Sequence, residues 1–167
     1  MWLSDANYVS AVVNGGAMGF ITPRSFPSLS AYRAELVQCR ELTHGRPFGV
    51  NLYISGQQEH NELVHQWIDI ALEEGVRHFE TAGLSPGHWL PKLKSAGSTV
   101  VHKCTAIRHA QRAIRDGVDA IALVGQECGG HPGSTPLSAA TLGALAAEQL
   151  TVPFVIGGGI GTGRQLA

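Results

Sequence analysis

The residues best suited by type to do chemistry lie in one stretch, Asp119–Gly133 (DAIALVGQECGGHPG). Glu127 and His131 bring a carboxylate and an imidazole to it. An imidazole exchanges a proton near neutral pH, so His131 is the candidate acid–base group. The competing reading is a loop histidine on the surface. Cys128 is either a nucleophile without an indicated base or a small packing residue. Gly129 and Gly130 leave room for backbone to approach a ligand.

A second cluster is Gly157–Gly163 (GGGIGTG), placed between an apolar run and a helical pattern. Backbone N–H groups in such a turn suit an anion, a phosphate above all, and a plain glycine turn is the alternative. Three further polar residues interrupt apolar runs: Asn51 in VNL, Glu80 before Thr81, and Lys103 at the end of VVHK. A polar residue inside a buried strand needs a partner, either a ligand or a neighbouring protein group. For Lys103 a snorkelling surface lysine is the competing reading. The other seven histidines form no metal motif: there is no HExxH and no Cys/His pair at zinc spacing.

The elements that must position these residues follow from periodicity. Ala120–Val124 is an unbroken apolar run bounded by turn residues, as in a strand covered on both faces. Other strands are predicted over 17–22, 48–54, 77–81, 99–103 and 153–157. Helices are predicted over 4–14, from Ser28 or Ser30 to about Thr43, over 59–74, 86–96, 105–116 and 138–149, and from near Thr162. Ser4 is the expected cap of the first, with Tyr8, Val9, Val12 and Val13 inward. Leu29, Tyr32, Leu36 and Val37 face inward on the second, and Val64, Trp67, Ile68 and Ala71 on the third.

The order is one helix followed by six βα units, which implies a parallel sheet with right-handed crossovers. Because the longest glycine cluster follows the last strand rather than the first, a TIM (β/α)8-type barrel is favoured over a doubly wound sheet. Six strands leave such a barrel incomplete, with its first and last strands missing. The expectation is one barrel domain over residues 1–167, from a longer sequence or closed by a homo-oligomer or partner chain, with exposed edges at 17–22 and 153–157.

Composition narrows the class. Of 167 residues, 44% are hydrophobic and 15% charged, which excludes a disordered chain. The net charge of −1 gives no electrostatic case for nucleic acid or an acidic membrane. No apolar run approaches a membrane span. Cys39, Cys104 and Cys128 lie far apart without a CxxC, which points to reduced thiols in the cytoplasm.

Six segments taken in order carry a resemblance: GGAMGFIT (15–22), PFGVNL (47–52), ETAGLSPG (80–87), VVHKCTAIRHA (100–110), GVDAIALVGQECGGHPG (117–133) and VPFVIGGGIGTGR (152–164). Together they resemble the nitronate monooxygenase (2-nitropropane dioxygenase) family. VHKC and ECGGHPG are most similar to the branch containing flavin-dependent NADH:quinone reductases. The resemblance implies a TIM barrel that binds FMN at the C-terminal ends of its strands. It implies that Asn51, Lys103, Gly129 and Gly130 lie at the flavin and that Gly158 and Gly159 hold its phosphate. Met1 stands where the family's first strand ends in a methionine. His131 matches the family's active-site base. The implied reaction is oxidation of alkyl nitronates, such as propionate 3-nitronate, by O2. The alternatives are quinone reduction with NAD(P)H, flavin-dependent enoyl-acyl-carrier-protein reduction, and a non-catalytic truncated barrel. Two departures stand out: Val124 replaces a residue that is often Gln or Asp, and the last strand's Gly-Thr phosphate loop is absent.

Overall fold

A computed structural model describes residues 2–130 and 136–166, the last without its side chain. The predicted alternation is observed: a first helix is followed by six strands, each with a helix after it. The chain divides into two compact units, Met1–Val100 and Val101–Ala167.

In the first unit, α1 (Ala6–Asn14) leads to β1 (Phe20–Ile21), α2 (Leu29–Leu42), β2 (Gly49–Ile54), α3 (Val64–Glu73), β3 (His78–Gly83) and α4 (Leu90–Ser95). β2 lies parallel between β1 and β3, with Asn51 opposite Glu80 and Leu52 opposite Thr81. Val50, Leu52 and Ile54 are buried along one face of β2, beside the buried Phe79 and Thr81 of β3. The period of two therefore puts Gly49, Asn51 and Tyr53 on the opposite face. Tyr32, Leu36 and Cys39 of α2 and Val64, Ile68 and Ala71 of α3 are fully buried. Each large apolar side chain removed from water in this way contributes about 1.5–3 kcal/mol before entropy is charged against it.

In the second unit, β4 (Thr99–Cys104, which starts in the first) pairs in parallel with β5 (Ala120–Val124), and β5 with β6 (Phe154–Gly157). α5 (Ile107–Asp116), α6 (Ala139–Gln149) and α7 (Gly163–Leu166) complete it. Ile121 and Leu123 are buried on one face of β5, Ala110 and Ala113 on α5, and Leu142 and Ala146 on α6. Val155 of β6 stays 63% exposed, as expected for an edge strand.

Several boundaries differ from the sequence expectation. Asp5, not Ser4, caps α1, accepting from the Tyr8 N–H at 2.8 Å, and Tyr8 itself is exposed. β1 shrinks to two residues because its partner strand begins at Gly49, opposite Phe20. α3 starts at Val64 because Asn61 is bound back to Ser55: its Oδ1 accepts from the Ser55 N–H and its Nδ2 donates to the Ser55 carbonyl, both at 2.9 Å. The intervening turn is a short 3-10 helix, Gln58–Asn61. Leu29 and Val37 are only half-buried.

Candidate functional site

In the first unit the β2–β3 register brings Asn51 and Glu80 onto the same sheet face. The Asn51 Nδ2 donates to Glu80 Oε2. A carboxylate only accepts, so it fixes which end of the amide points at it and leaves the Asn51 carbonyl oxygen as an acceptor. Both residues are half-buried, so ligand access to the pair is retained.

In the second unit Lys103 is half-buried and registered against Ala122, on the face of β4 opposite His102 and Cys104. Those two side chains are buried. Burial lowers the His102 pKa to about 4, opposed by Asp116 and assisted by His109. Burial raises the Cys104 thiol to about 11. Neither can serve acid–base chemistry at neutral pH, which separates a structural face of β4 from the one bearing Lys103.

The loops after β5 and β6 are laid against each other. The Gly125 N–H donates to the Gly157 carbonyl at 2.9 Å, and the Cys128 N–H to the Gly125 carbonyl at 3.1 Å. Gly158, at φ +116°, packs so closely that a Cβ there would stand 3.2 Å from the Cys128 nitrogen and 3.4 Å from the Gly125 nitrogen. Gly159, at φ +75°, faces Glu127. Both positions lie where an L side chain is strained, so conformation favours glycine at each, and at Gly158 the close approach of the facing loop favours it as well. Gly129 and Gly130 border open space: a Cβ added at either would meet no described atom within 4 Å. Among the described residues the N–H groups of Gly129, Gly130, Gly158 and Gly159 have no protein acceptor. Such a set of backbone donors suits an anionic oxygen group, and a phosphate fits its chemistry.

Two side chains take roles that the sequence reading did not assign. Glu127 is turned to structure: its Oε2 accepts from the Ala139 N–H at 3.1 Å, at the start of α6, beside the Ser138 cap. Gln165 closes the second glycine loop. Its Oε1 accepts from the Gly161 N–H at 2.9 Å and its Nε2 donates to the Gly159 carbonyl at 3.2 Å. The signal was present as Thr162-x-x-Gln165, the spacing of a capping box, and Gln165 N–H does donate to Thr162 Oγ1 at 3.3 Å. Met1 and His131, the remaining candidates, lie outside the described residues, so the structure tests neither.

A profile of nitronate monooxygenase sequences matches residues 1–167. The chain is 30% identical over 169 residues to a (3aS,4S,5R,7aS)-5-hydroxy-7a-methyl-1-oxo-octahydro-1H-indene-4-carboxyl-CoA dehydrogenase of Mycobacterium tuberculosis, covering 99% of this chain and 45% of that protein. It is 34% identical over 119 residues to a probable nitronate monooxygenase of Bacillus subtilis, covering 66% of this chain and 34% of that one. Among solved structures, FabK from Thermotoga maritima superposes with a TM-score of 0.86 at 24% identity, covering 99% of this chain and 50% of that chain. That likeness establishes the fold as TIM-barrel-like. The chain spans about half the length, or less, of these proteins.

Proposed function

The chain belongs to the nitronate monooxygenase family of flavin-dependent oxidoreductases, and from that membership we propose that it binds FMN and serves the oxidation of alkyl nitronates by O2. The observation that carries the reading is the pair of apposed glycine loops after β5 and β6. They offer backbone donors that have no protein acceptor among the described residues, and at Gly158 a Cβ would crowd the facing loop at 3.2 Å. A phosphate monoester is the natural occupant of such donors.

In this reading Gly158 and Gly159 hold the FMN phosphate, and Gly129 and Gly130 allow close approach of the cofactor. Asn51, fixed by Glu80, presents a carbonyl acceptor to the ring. Lys103 supplies a cation that favours negative charge on it. Met1 adds an apolar contact. FMN, when bound, supplies the redox chemistry. When the substrate arrives as the neutral nitroalkane, an imidazole nitrogen of His131 removes the proton from the carbon next to the nitro group, leaving the nitronate, and retains it as imidazolium; a substrate supplied as the nitronate has already lost that proton. Propionate 3-nitronate is the representative substrate.

A second reading is favoured by the 30% identity to a protein named as a carboxyl-CoA dehydrogenase. There the substrate is a coenzyme A thioester and the same cofactor site serves dehydrogenation or enoyl reduction. NAD(P)H with a quinone is the third pair to assay.

The test begins with purified chain mixed with FMN and desalted. Retention of bands near roughly 370 and 450 nm, those of an oxidised flavin, is the expected result. Turnover of propionate 3-nitronate with O2 then separates the nitronate reading from thioester or NAD(P)H–quinone activity, and His131→Asn should abolish turnover of the neutral nitroalkane while sparing that of the preformed nitronate. If neither this chain nor a version lengthened to match its relatives retains flavin, the FMN reading is wrong.

A further inference from the structure

A separate cavity of about 240 Å³ lies in the first unit at the N-terminal ends of β2 and β3, and neither Asn51 nor Glu80 lines it. Its walls come from the turns entering the two strands. Phe48, Pro47 and Val76 supply apolar surface, and Arg40, Arg46, Arg77 and His78 supply nitrogen donors. One acid, Glu74, also lines it.

Charge accounting shows an excess. Glu74 is shared by two guanidinium groups, Arg33 at 2.6 Å and Arg40 at 3.1 Å. Its hydrogen bond from Arg33 holds its pKa below the usual carboxylate range, with Arg40 adding to the effect, so the acid is ionised and already engaged. Arg46 and Arg77 have no carboxylate partner among the described residues. Arg77 is nevertheless oriented, because its Nη1 donates to the Leu72 and Val76 carbonyls at 3.0 and 2.8 Å. A guanidinium tied down by neutral carbonyls keeps its full charge and loses the freedom that binding would otherwise have to remove.

We propose that this cavity is a binding site for a phosphate-type dianion, held by Arg46 and Arg77 with His78 beside them. Planar guanidinium donors match phosphate oxygens in pairs, which a surface lysine does not. The volume is below the roughly 300–1,000 Å³ of sites for drug-sized ligands. It therefore suits inorganic phosphate or the phosphate end of a small monoester, not a whole nucleotide. The inference is independent of the FMN reading, because none of these residues belongs to the glycine loops.

The experiment is equilibrium dialysis of radiolabelled inorganic phosphate against the full chain with FMN present in excess, at constant ionic strength set with chloride. One phosphate per chain is expected, with binding at least tenfold weaker in Arg46→Gln and only partly restored in Arg46→Lys, which keeps the charge but not the paired donors. The Arg46 side chain is exposed and makes no hydrogen bond among the described residues, so its substitution leaves the fold intact, which circular dichroism checks. Glycerol phosphate is the competitor: displacement below the concentration of phosphate needed assigns a monoester, and displacement above it assigns the free ion. Equal binding by wild type and Arg46→Gln, or binding that chloride abolishes as readily as it screens any surface charge, overturns the proposal.

Discussion

Acid should destabilise this chain through the buried imidazole of His102. His102 is 3% exposed and its pKa is lowered by burial to about 4, against 6.5 when solvated. Below pH 6.5 the unfolded chain takes up a proton at this position that the folded chain refuses. Stability from this source is therefore constant above pH 6.5, falls as pH drops toward 4, and levels off below it. One pKa unit corresponds to about 1.36 kcal/mol, so the whole loss is roughly 3 kcal/mol and most of it, about 2.5 kcal/mol, is reached by pH 4.5. That is a large part of the 5–15 kcal/mol typical of a domain. The assay is urea unfolding at pH 7.5 and pH 4.5, for wild type and for His102→Gln, which keeps a polar group of similar reach without titrating. The wild type should lose about 2.5 kcal/mol more than the variant between the two pH values. With a slope of about 1–3 kcal/mol/M, its midpoint moves by about 1 M or more relative to the variant. Equal losses in the two proteins would refute the assignment of acid sensitivity to His102.

Gly158→Ala should cost about 1–2 kcal/mol, because φ is +116° and the new methyl meets the Cys128 and Gly125 nitrogens. Urea unfolding reads that loss, and weaker FMN retention should accompany it, whereas Gly129→Ala, which meets nothing within 4 Å, should leave stability unchanged within about 0.5 kcal/mol. A thiol-reactive disulfide should label Cys128 rapidly and Cys39 and Cys104 only on unfolding. The latter two are buried, and burial raises their pKa values to about 12 and about 11. Three fast-reacting thiols in the native chain would contradict the burial of those two side chains.

The alternation of strands and helices was legible because its signals are local. β5 reads directly from AIALV, and α3 from the spacing of Val64, Trp67, Ile68 and Ala71, all of which are buried. What failed was decided by hydrogen-bond partners that hydrophobic periodicity does not reveal. β1 is short because its neighbour begins at Gly49, and α3 starts late because Asn61 is committed to Ser55. At the candidate site, the glycine positions could be read from sequence, because few other residues tolerate those turns. The use of Glu127 as a ligand of the α6 N-terminus could not, since a carboxylate in a loop looks the same whether it meets substrate or a helix. The Asn51–Glu80 pair required the register, which places two strands 29 positions apart side by side.

The tie between the β5 loop and α6 also bears on how such a protein can change over time. The Gln126 N–H donates to the Leu137 carbonyl at 2.9 Å, and Glu127 holds the Ala139 N–H. The exit of the strand and the entry of the helix are thus held by two shared hydrogen bonds, independent of what any ligand does. Descendants of this scaffold that keep Glu127 keep that anchorage, whereas those that exchange it should carry a compensating acceptor for the Ala139 N–H nearby. The same pair tells an engineer which position not to vary when altering the loop.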